Sequence, residues 1–384
     1  MSRPDPATPG RQPASTGPAG APTPVIVAAR RTPIGTAGRA LRDLTVADLA
    51  APVLRAVLDD AGAASPVDDV ILGNCMGPGG NVARVAALAA GLGTDVPGLT
   101  VDRQCGSGLE AINLAAGLVR AGVGGLYLAG GVESASTAPV RHWPGDPPVR
   151  YSRAPFAPPG FPDPGMGEAA DLVAAEHGVS RERQDAYAER SHAHAVTRSR
   201  ELRTELVPVG GLQHDERPRA GLTAARLKRL RPAFVAGGTV TAGNSCGVSD
   251  GAAVVAVQAG GHGLRILDWQ VSGGDPARPG IALVPAVRTL LDRHGLKPGD
   301  LPAVEITEAF AGQVLACLDL LGIDESVVCA GGGAIALGHP WGASGAVLMV
   351  RLFTRMVRMN GPDLGLAACA IGGGLGVATL VARV

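Results

Sequence analysis

No two cysteines of the chain stand in a CxxC arrangement: Cys75, Cys105, Cys246, Cys317, Cys329 and Cys369 are scattered singly. That spacing argues against a zinc site or a disulfide framework and predicts reduced thiols in a cytoplasmic protein. Charge of one sign is not in excess either, since Lys plus Arg and Asp plus Glu number 34 each, so no global field points to nucleic acid or a membrane surface. No uninterrupted apolar run reaches the roughly 18 residues of a membrane span, and the N-terminal residues lack the apolar core of a signal peptide. Aromatic residues make up only 3% of the 384, against 56 glycines, so the interior must be packed from small residues at close backbone approach. There is no Gly-Lys-Ser/Thr and no GxGxxG placed between a strand and a helix, which sets nucleotide-loop readings aside. His192 and His194, two apart, would point to different sides of a helix, so no metal pair is expected there and no metal is assigned.

What is present is alternation. Residues 1–21, rich in Pro, Ala, Gly, Ser and Thr, read as a disordered tail. A strand at Pro24–Ala29 is broken by Pro33 and Gly35, and a helix follows over Val46–Ala61, a strand over Val67–Asn74 and a helix over Ala83–Gly91. After a helix that ends near Ala121, Gly125–Gly131 reads as a buried strand. This order predicts an α/β fold with a mainly parallel sheet. From about Thr137 to Gly237 the texture changes, with Pro and Gly crowding 139–167 and a polar helix starting at the N-cap Ser180. Arg217, Arg219, Arg226, Lys228, Arg229 and Arg231 make the one local basic stretch, suited to phosphates or simply a solvated face. Alternation resumes with a strand at Gly263–Trp269, a helix at Val284–His294, a strand at Ala303–Ile306, a helix at Ala311–Leu321, a long helix from Trp341 to about Met359, and two terminal strands about Gly372-Gly373-Gly374.

The segment Asp102-Arg103-Gln104-Cys105-Gly106-Ser107-Gly108 precedes a four-turn apolar run. Cys105 would thus sit at a buried helix N-terminus, where unpaired N–H groups and the helix dipole favour a reactive thiolate. A small buried core residue is the other reading. The second half echoes the first: Gly342-Ala343-Ser344-Gly345 also opens a helix, after a glycine-rich approach. The echo suggests a duplicated α/β unit whose two central helices pack closely through small residues.

Cys105-Gly106-Ser107-Gly108, followed in the second half by Gly338-His339-Pro340, resembles the thiolase family, the acetyl-CoA acetyltransferases and 3-ketoacyl-CoA thiolases. The likeness runs through Arg31-Thr32-Pro33-Ile34-Gly35, Gly130-Gly131-Val132-Glu133-Ser134, Leu230-Arg231-Pro232, Thr241-Ala242-Gly243-Asn244 and Glu308-Ala309-Phe310-Ala311. It implies two similar βαβαβαββ halves in a five-layered αβαβα core: 22–136 plus 238–262 as the first, 263–384 as the second, and 137–237 as an inserted CoA-binding loop domain. It further implies Cys105 as the nucleophile that accepts an acyl group from acyl-CoA, His339 as the base that takes the thiol proton, and the N–H groups of Cys105 and Gly372 as an oxyanion hole. No permanently bound cofactor is implied, only coenzyme A or acyl-CoA as substrate, in a homodimer or homotetramer. Arg219 matches a basic residue near the CoA phosphates, Arg226 adds a phosphate contact, and Met166 lines the pantetheine channel.

Three positions depart from the family pattern. Thr307 replaces the asparagine that holds an oxyanion-hole water, and a hydroxyl can still hold one at shorter reach. Asn244-Ser245-Cys246-Gly247 replaces Asn-Ala-Ser-Gly and weakens a hydrogen bond toward pantetheine from position 246. Ala370-Ile371-Gly372-Gly373-Gly374 replaces Cys-Ile-Gly-Gly-Gly, so the cysteine that moves the second substrate's proton is missing. Cys369 stands one residue away and reaches the site only if a bulge turns it to the other face. Carbon–carbon bond formation or cleavage, acyl transfer to another acceptor or to water, and a silent acyl-CoA-binding subunit remain the three readings.

Overall fold

The computed structural model describes residues 20–62 and 66–384; the expected tail, apart from Gly20 and Ala21, lies outside them. In the first half, strands β1 (Pro24–Arg31), β2 (Asp69–Gly73), β3 (Gly98–Val101) and β4 (Leu126–Ser134) alternate with helices α1 (Val46–Ala61), α2 (Val82–Ala89) and α3 (Ser107–Arg120). Helices α4 (Met166–Glu176) and α5 (Arg181–Thr197) intervene before strand β5 (Ser249–Ala259). The second half runs β6 (Leu264–Gly273), α6 (Leu283–His294), β7 (Val304–Ile306), α7 (Ala311–Leu321), α8 (Trp341–Phe353), β8 (Leu364–Ile371) and β9 (Leu375–Arg383). Local chemistry sets several of these ends. Thr45 and Asp48 form a capping box at the start of α1, Gly62 ends it in the left-handed region, and Ser180 caps α5 by accepting from the Arg183 N–H.

Sheet order is β7-β8-β9-β6-β1-β5-β4-β2-β3. In the first half β2 pairs β3 and β4 in parallel while β5 pairs β4 and β1 antiparallel. The second half repeats this: β8 pairs β7 in parallel, β9 pairs β8 and β6 antiparallel, and Val328 bridges Val304 in parallel where β3 stands in the first. The halves join where Val25 and Ile26 of β1 meet Arg265 and Leu264 of β6. The expected mainly parallel sheet is therefore corrected to a mixed one. Each half ends on two strands with no crossover helix packed between them, and such strands pair antiparallel; reading the alternation alone overlooked β5. Helix α4 was also unforeseen, because it begins just after the Pro/Gly-crowded tract, where the Glu168 carboxylate accepts from the Gly165 N–H before its first turn.

Helices α1 and α2 cover one face of the first half's strands and α6 and α7 one face of the second's, with α3 and α8 between the two sets of strands. This is the five-layered arrangement. The middle layer depends on missing side chains: a Cβ at Gly108 would lie 2.9 Å from the Ala346 nitrogen, and one at Gly345 would lie 2.5 Å from the Leu109 nitrogen. Buried charges tie the layers. Glu133 accepts from the N–H groups of Cys75, Met76 and Gly342, placing a carboxylate at the positive end of α8. Glu205, beyond the inserted helix α5, accepts from Arg31 of β1 and Arg351 of α8, and Asp215 takes the rest of the Arg31 guanidinium. Helices α4 and α5 lie against α7, which brings the insertion over the second half.

Candidate active site

Cys105 occupies a 3-10 turn, Gln104–Gly106, that leads directly into α3. Gln104 before it is held in the left-handed region at φ 42°, and the Ser107 hydroxyl locks the turn by accepting from the Arg103 N–H at 2.8 Å and donating to the Gln104 carbonyl at 2.6 Å. The thiol is thereby held at the mouth of the central helix, with its own peptide N–H facing the sulfur.

His339 arrives from the other half. Its backbone is pinned against 247–249, its N–H donating to the Gly247 carbonyl and the Ser249 hydroxyl, each at 3.1 Å. Gly338 before it has φ 118°, and a Cβ there would lie 2.5 Å from the Ser249 hydroxyl, so glycine is required. Nδ1 of His339 lies 2.6 Å from the Ser344 hydroxyl, while Nε2 is buried with no hydrogen-bond partner among the described residues. With Nδ1–H donating to Ser344, the free Nε2 lone pair is a base.

Cys105, His339, Cys246, Met166, Phe310, Trp341 and Ala370 line one cavity of about 100 Å³. Burial pulls the imidazole down to about 4, so the ring is neutral. Burial, reinforced by the nearby Cys369 and Cys246 sulfurs, pushes the Cys105 thiol well above its usual range. Against the expected thiolate stands this desolvation, which favours the neutral thiol beside a neutral imidazole and which the Cys105 peptide N–H opposes.

The sequence-derived residues divide by position. Cys105, His339, Met166 and Cys246 share the cavity wall. Gly372 lies in the turn between β8 and β9, under the ring of Phe156. Thr307 and Cys369 sit together off the wall, the Thr307 hydroxyl donating to the Cys369 sulfur at 3.1 Å with both side chains buried. Pairing of β8 with β9 runs in unbroken register through Cys369↔Val377, Ala370↔Gly376 and Ile371↔Leu375. No bulge turns Cys369, and Ala370 faces the cavity instead. Arg219 is exposed, its backbone N–H donating to His192 Nδ1, and Arg226 reaches the Gly221 carbonyl; neither lines this cavity.

Two participants went unnoticed in the sequence. Gln313 of α7 presents a buried, unpartnered Oε1 on the same wall, and no motif marks it. Trp341 closes another side, and its place directly after His339-Pro340 was the available signal. Glu308, by contrast, points away from the cavity and accepts from the Tyr187 and Ser191 hydroxyls, fastening α5 to the second half. Among the described residues no group of His, Cys, Asp and Glu is placed to hold a metal ion.

A thiol and a neutral imidazole on one wall, with the Cys105 peptide N–H beside the sulfur, form a site for acyl transfer. Comparison with known proteins agrees. Residues 24–260 match the model of the thiolase N-terminal domain and 263–383 that of the thiolase C-terminal domain. YhfS of Bacillus subtilis (strain 168), named as a candidate acetyl-CoA C-acetyltransferase, is 44% identical over 375 residues, covering 93% of this chain and 98% of its own. VraB of Staphylococcus aureus (strain MRSA252), similarly named, is 41% identical over 94% of this chain and 99% of its own. The crystal structure of the Bacillus anthracis acetyl-CoA acetyltransferase superposes with a TM-score of 0.89 at 36% identity, over 95% of this chain and 99% of that one. With both domains matched in order across the described core, and a cysteine and a histidine from opposite halves meeting in one cavity, the chain belongs to the thiolase family and is an acyltransferase.

Proposed function

We propose that Cys105 carries the acyl group and that acyl-CoA, with acetyl-CoA first among candidates, supplies it. The observation behind this reading is the shared cavity wall of Cys105 and His339 with Nε2 left unpartnered. His339 Nε2 takes the proton of the Cys105 thiol as the sulfur attacks the thioester carbon. The N–H groups of Cys105 and Gly372 receive the developing oxyanion, and the CoA sulfur leaves with the proton held on His339. Met166 borders the pantetheine arm, and the exposed Arg219 and Arg226 guanidiniums meet the CoA phosphates. Acyl-Cys105 is then consumed by Claisen attack of a CoA-thioester carbanion, or is formed by cleavage of a 3-ketoacyl-CoA and released to free CoA.

Incubation with acetyl-CoA followed by peptide mass spectrometry tests the first step: an acetyl adduct on Cys105, absent from Cys105→Ser, is expected. An unmodified Cys105 would favour the silent-subunit reading. Ala370 on the cavity wall motivates the second reading, transfer to water or a non-carbon acceptor. Formation of acetoacetyl-CoA from acetyl-CoA, or its cleavage by CoA, decides between them.

The chain works as a homodimer or homotetramer in the cytoplasm. Support comes from the edge strand β3, beside the exposed Val85, Leu88 and Leu99, and from six free cysteines. No helix among the described residues is long and apolar enough to cross a membrane. A single sedimentation species of monomer mass would refute the assembly.

A further inference from the structure

Carbon–carbon chemistry at this site needs a second proton-transfer group. His339 is occupied with the Cys105 proton, so another acid must protonate the α carbon that leaves during cleavage, and its conjugate base must remove that proton in condensation. The titratable side chains on the cavity wall are Cys105, His339 and Cys246. Cys369 is fully buried, engaged by the Thr307 hydroxyl and off the wall, and the position that faces the cavity from β8 is Ala370.

Resting on the reading of Cys105 as nucleophile, we propose that Cys246 is the second catalytic thiol of this enzyme, the acid and base for the α carbon of the CoA thioester.

Several features place it for that role. Cys246 is held from the backbone, its N–H donating to the Ala309 carbonyl at 2.9 Å, and it lines the same cavity as Cys105 and His339. Two other polar atoms on the wall, His339 Nε2 and Gln313 Oε1, are buried and unpartnered, which marks the space between these groups as one built for a polar ligand. Beside the thiol stands the Arg217 guanidinium, stacked so closely over Gly247 that a Cβ at 247 would run into it. Its Nε is buried and has no hydrogen-bond partner among the described residues. Burial pushes the Cys246 thiol up to about 12, and the Arg217 charge opposes that rise. The resting group is therefore a protonated thiol, the form that cleavage requires first, with a cation at hand for the thiolate that follows.

In cleavage the Cys105 sulfur, its proton passed to His339, adds to the keto carbon. Collapse of the adduct breaks the bond to the α carbon, whose electron pair takes the Cys246 proton, and an acyl-CoA departs. His339 returns its proton to the Cys246 thiolate and then takes the S–H proton of incoming CoA. The CoA sulfur attacks the acyl carbon, and the Cys105 sulfur leaves and recovers its proton from His339. Condensation is the reverse, and no outside oxidant or reductant enters.

The test compares two rates in each protein: acetylation of Cys105 by acetyl-CoA, followed by mass spectrometry, and incorporation of deuterium from D2O into the acetyl methyl group of acetyl-CoA. Cys246→Ser keeps the size and hydrogen-bonding of the side chain but not its acidity. It is expected to lower exchange about 100-fold more than it lowers acetylation, the lower range of a general acid–base contribution, and Cys246→Ala should do the same. In Cys369→Ala the ratio of the two rates should stay native. Retained exchange in Cys246→Ser, equal loss of both rates there, or selective loss of exchange in Cys369→Ala each overturns the proposal. A native protein that acetylates Cys105 but exchanges no deuterium overturns it while leaving the Cys105 reading intact; absence of acetylation in the native protein overturns both.

Discussion

His339 is buried, and its imidazole stays neutral down to about pH 4 rather than the ordinary value near 6.5. The base is therefore ready throughout the neutral and mildly acidic range. Single-turnover acetylation of Cys105 should show no inflection near pH 6.5 and should fall only as pH approaches 4; a half-loss near 6.5 would place the ring in water. His339→Ala should slow acetylation by about 100- to 10,000-fold, read by the same assay. How far this chemistry was legible differs by residue. Cys105 and His339 were marked by their glycine-rich contexts, where a Cβ at Gly106 would press on the Ile371 side chain and one at Gly338 on the Ser249 hydroxyl. The protonation state of Cys105 was not legible. It depends on desolvation by segments distant in sequence, against which the Cys105 peptide N–H, a local group, pulls the other way. Cys246 was noted as a weakened hydrogen bond; only its place in one cavity with Cys105, His339 and Ala370 gives it a further meaning.

Helices α3 and α8 carry the catalytic geometry between them, since Cys105 leads into one and His339, through Ser344, is oriented by the other. Their small residues were readable as a sign of close packing, because glycine clusters at the start of two apolar helices have few other uses. The distances sharpen that into a prediction. In Gly345→Ala the new methyl would lie 2.5 Å from the Leu109 nitrogen, a backbone atom that cannot rotate away. Helix α3 must shift, at a cost of about 1–3 kcal/mol typical of overpacking, measurable as a lower urea midpoint with unchanged slope. Acetylation of Cys105 should fall by more than the loss of folded protein accounts for, because the shift moves the turn that holds the thiol. The strand pairing was harder to read. Alternation of strand and helix identified the βαβ crossovers correctly, but β5 is separated from its partner β4 by the whole insertion, and nothing local announces an antiparallel return across that distance.

At the scale of the molecule, one buried carboxylate couples three parts of the chain. Glu205 follows the inserted helix α5, accepts from Arg31 of β1 and Arg351 of α8 at 2.7 Å and 3.0 Å, and takes a third bond from the Thr354 hydroxyl. Burial by itself would raise its pKa, but the charges of Arg351 and Arg31 outweigh burial and hold it below the ordinary value of 4.5. Removing it leaves Arg351 as a buried guanidinium without its carboxylate and Arg31 with Asp215 alone. Glu205→Ala should therefore lower the unfolding free energy at pH 7 by about 3–5 kcal/mol, the cost of breaking a buried pair. The sign of the pH dependence follows from the depressed pKa. Stability contributed by Glu205 is complete above about 4.5 and is lost as pH falls through the folded-state value, because the unfolded chain takes up the proton first. His339 adds a loss at higher pH: its folded pKa is about 4, so from near 6.5 downward the unfolded state binds a proton that the folded state does not. Urea unfolding of the native protein should accordingly weaken from about pH 6.5 and again below about 4.5. The gap between native and Glu205→Ala should close in the lower window alone, since His339 titrates in both. A gap that stays constant down to pH 3.5 would mean that the carboxylate is not clamped by its two arginines, and that the insertion is held to the core by its apolar contacts with α7 instead.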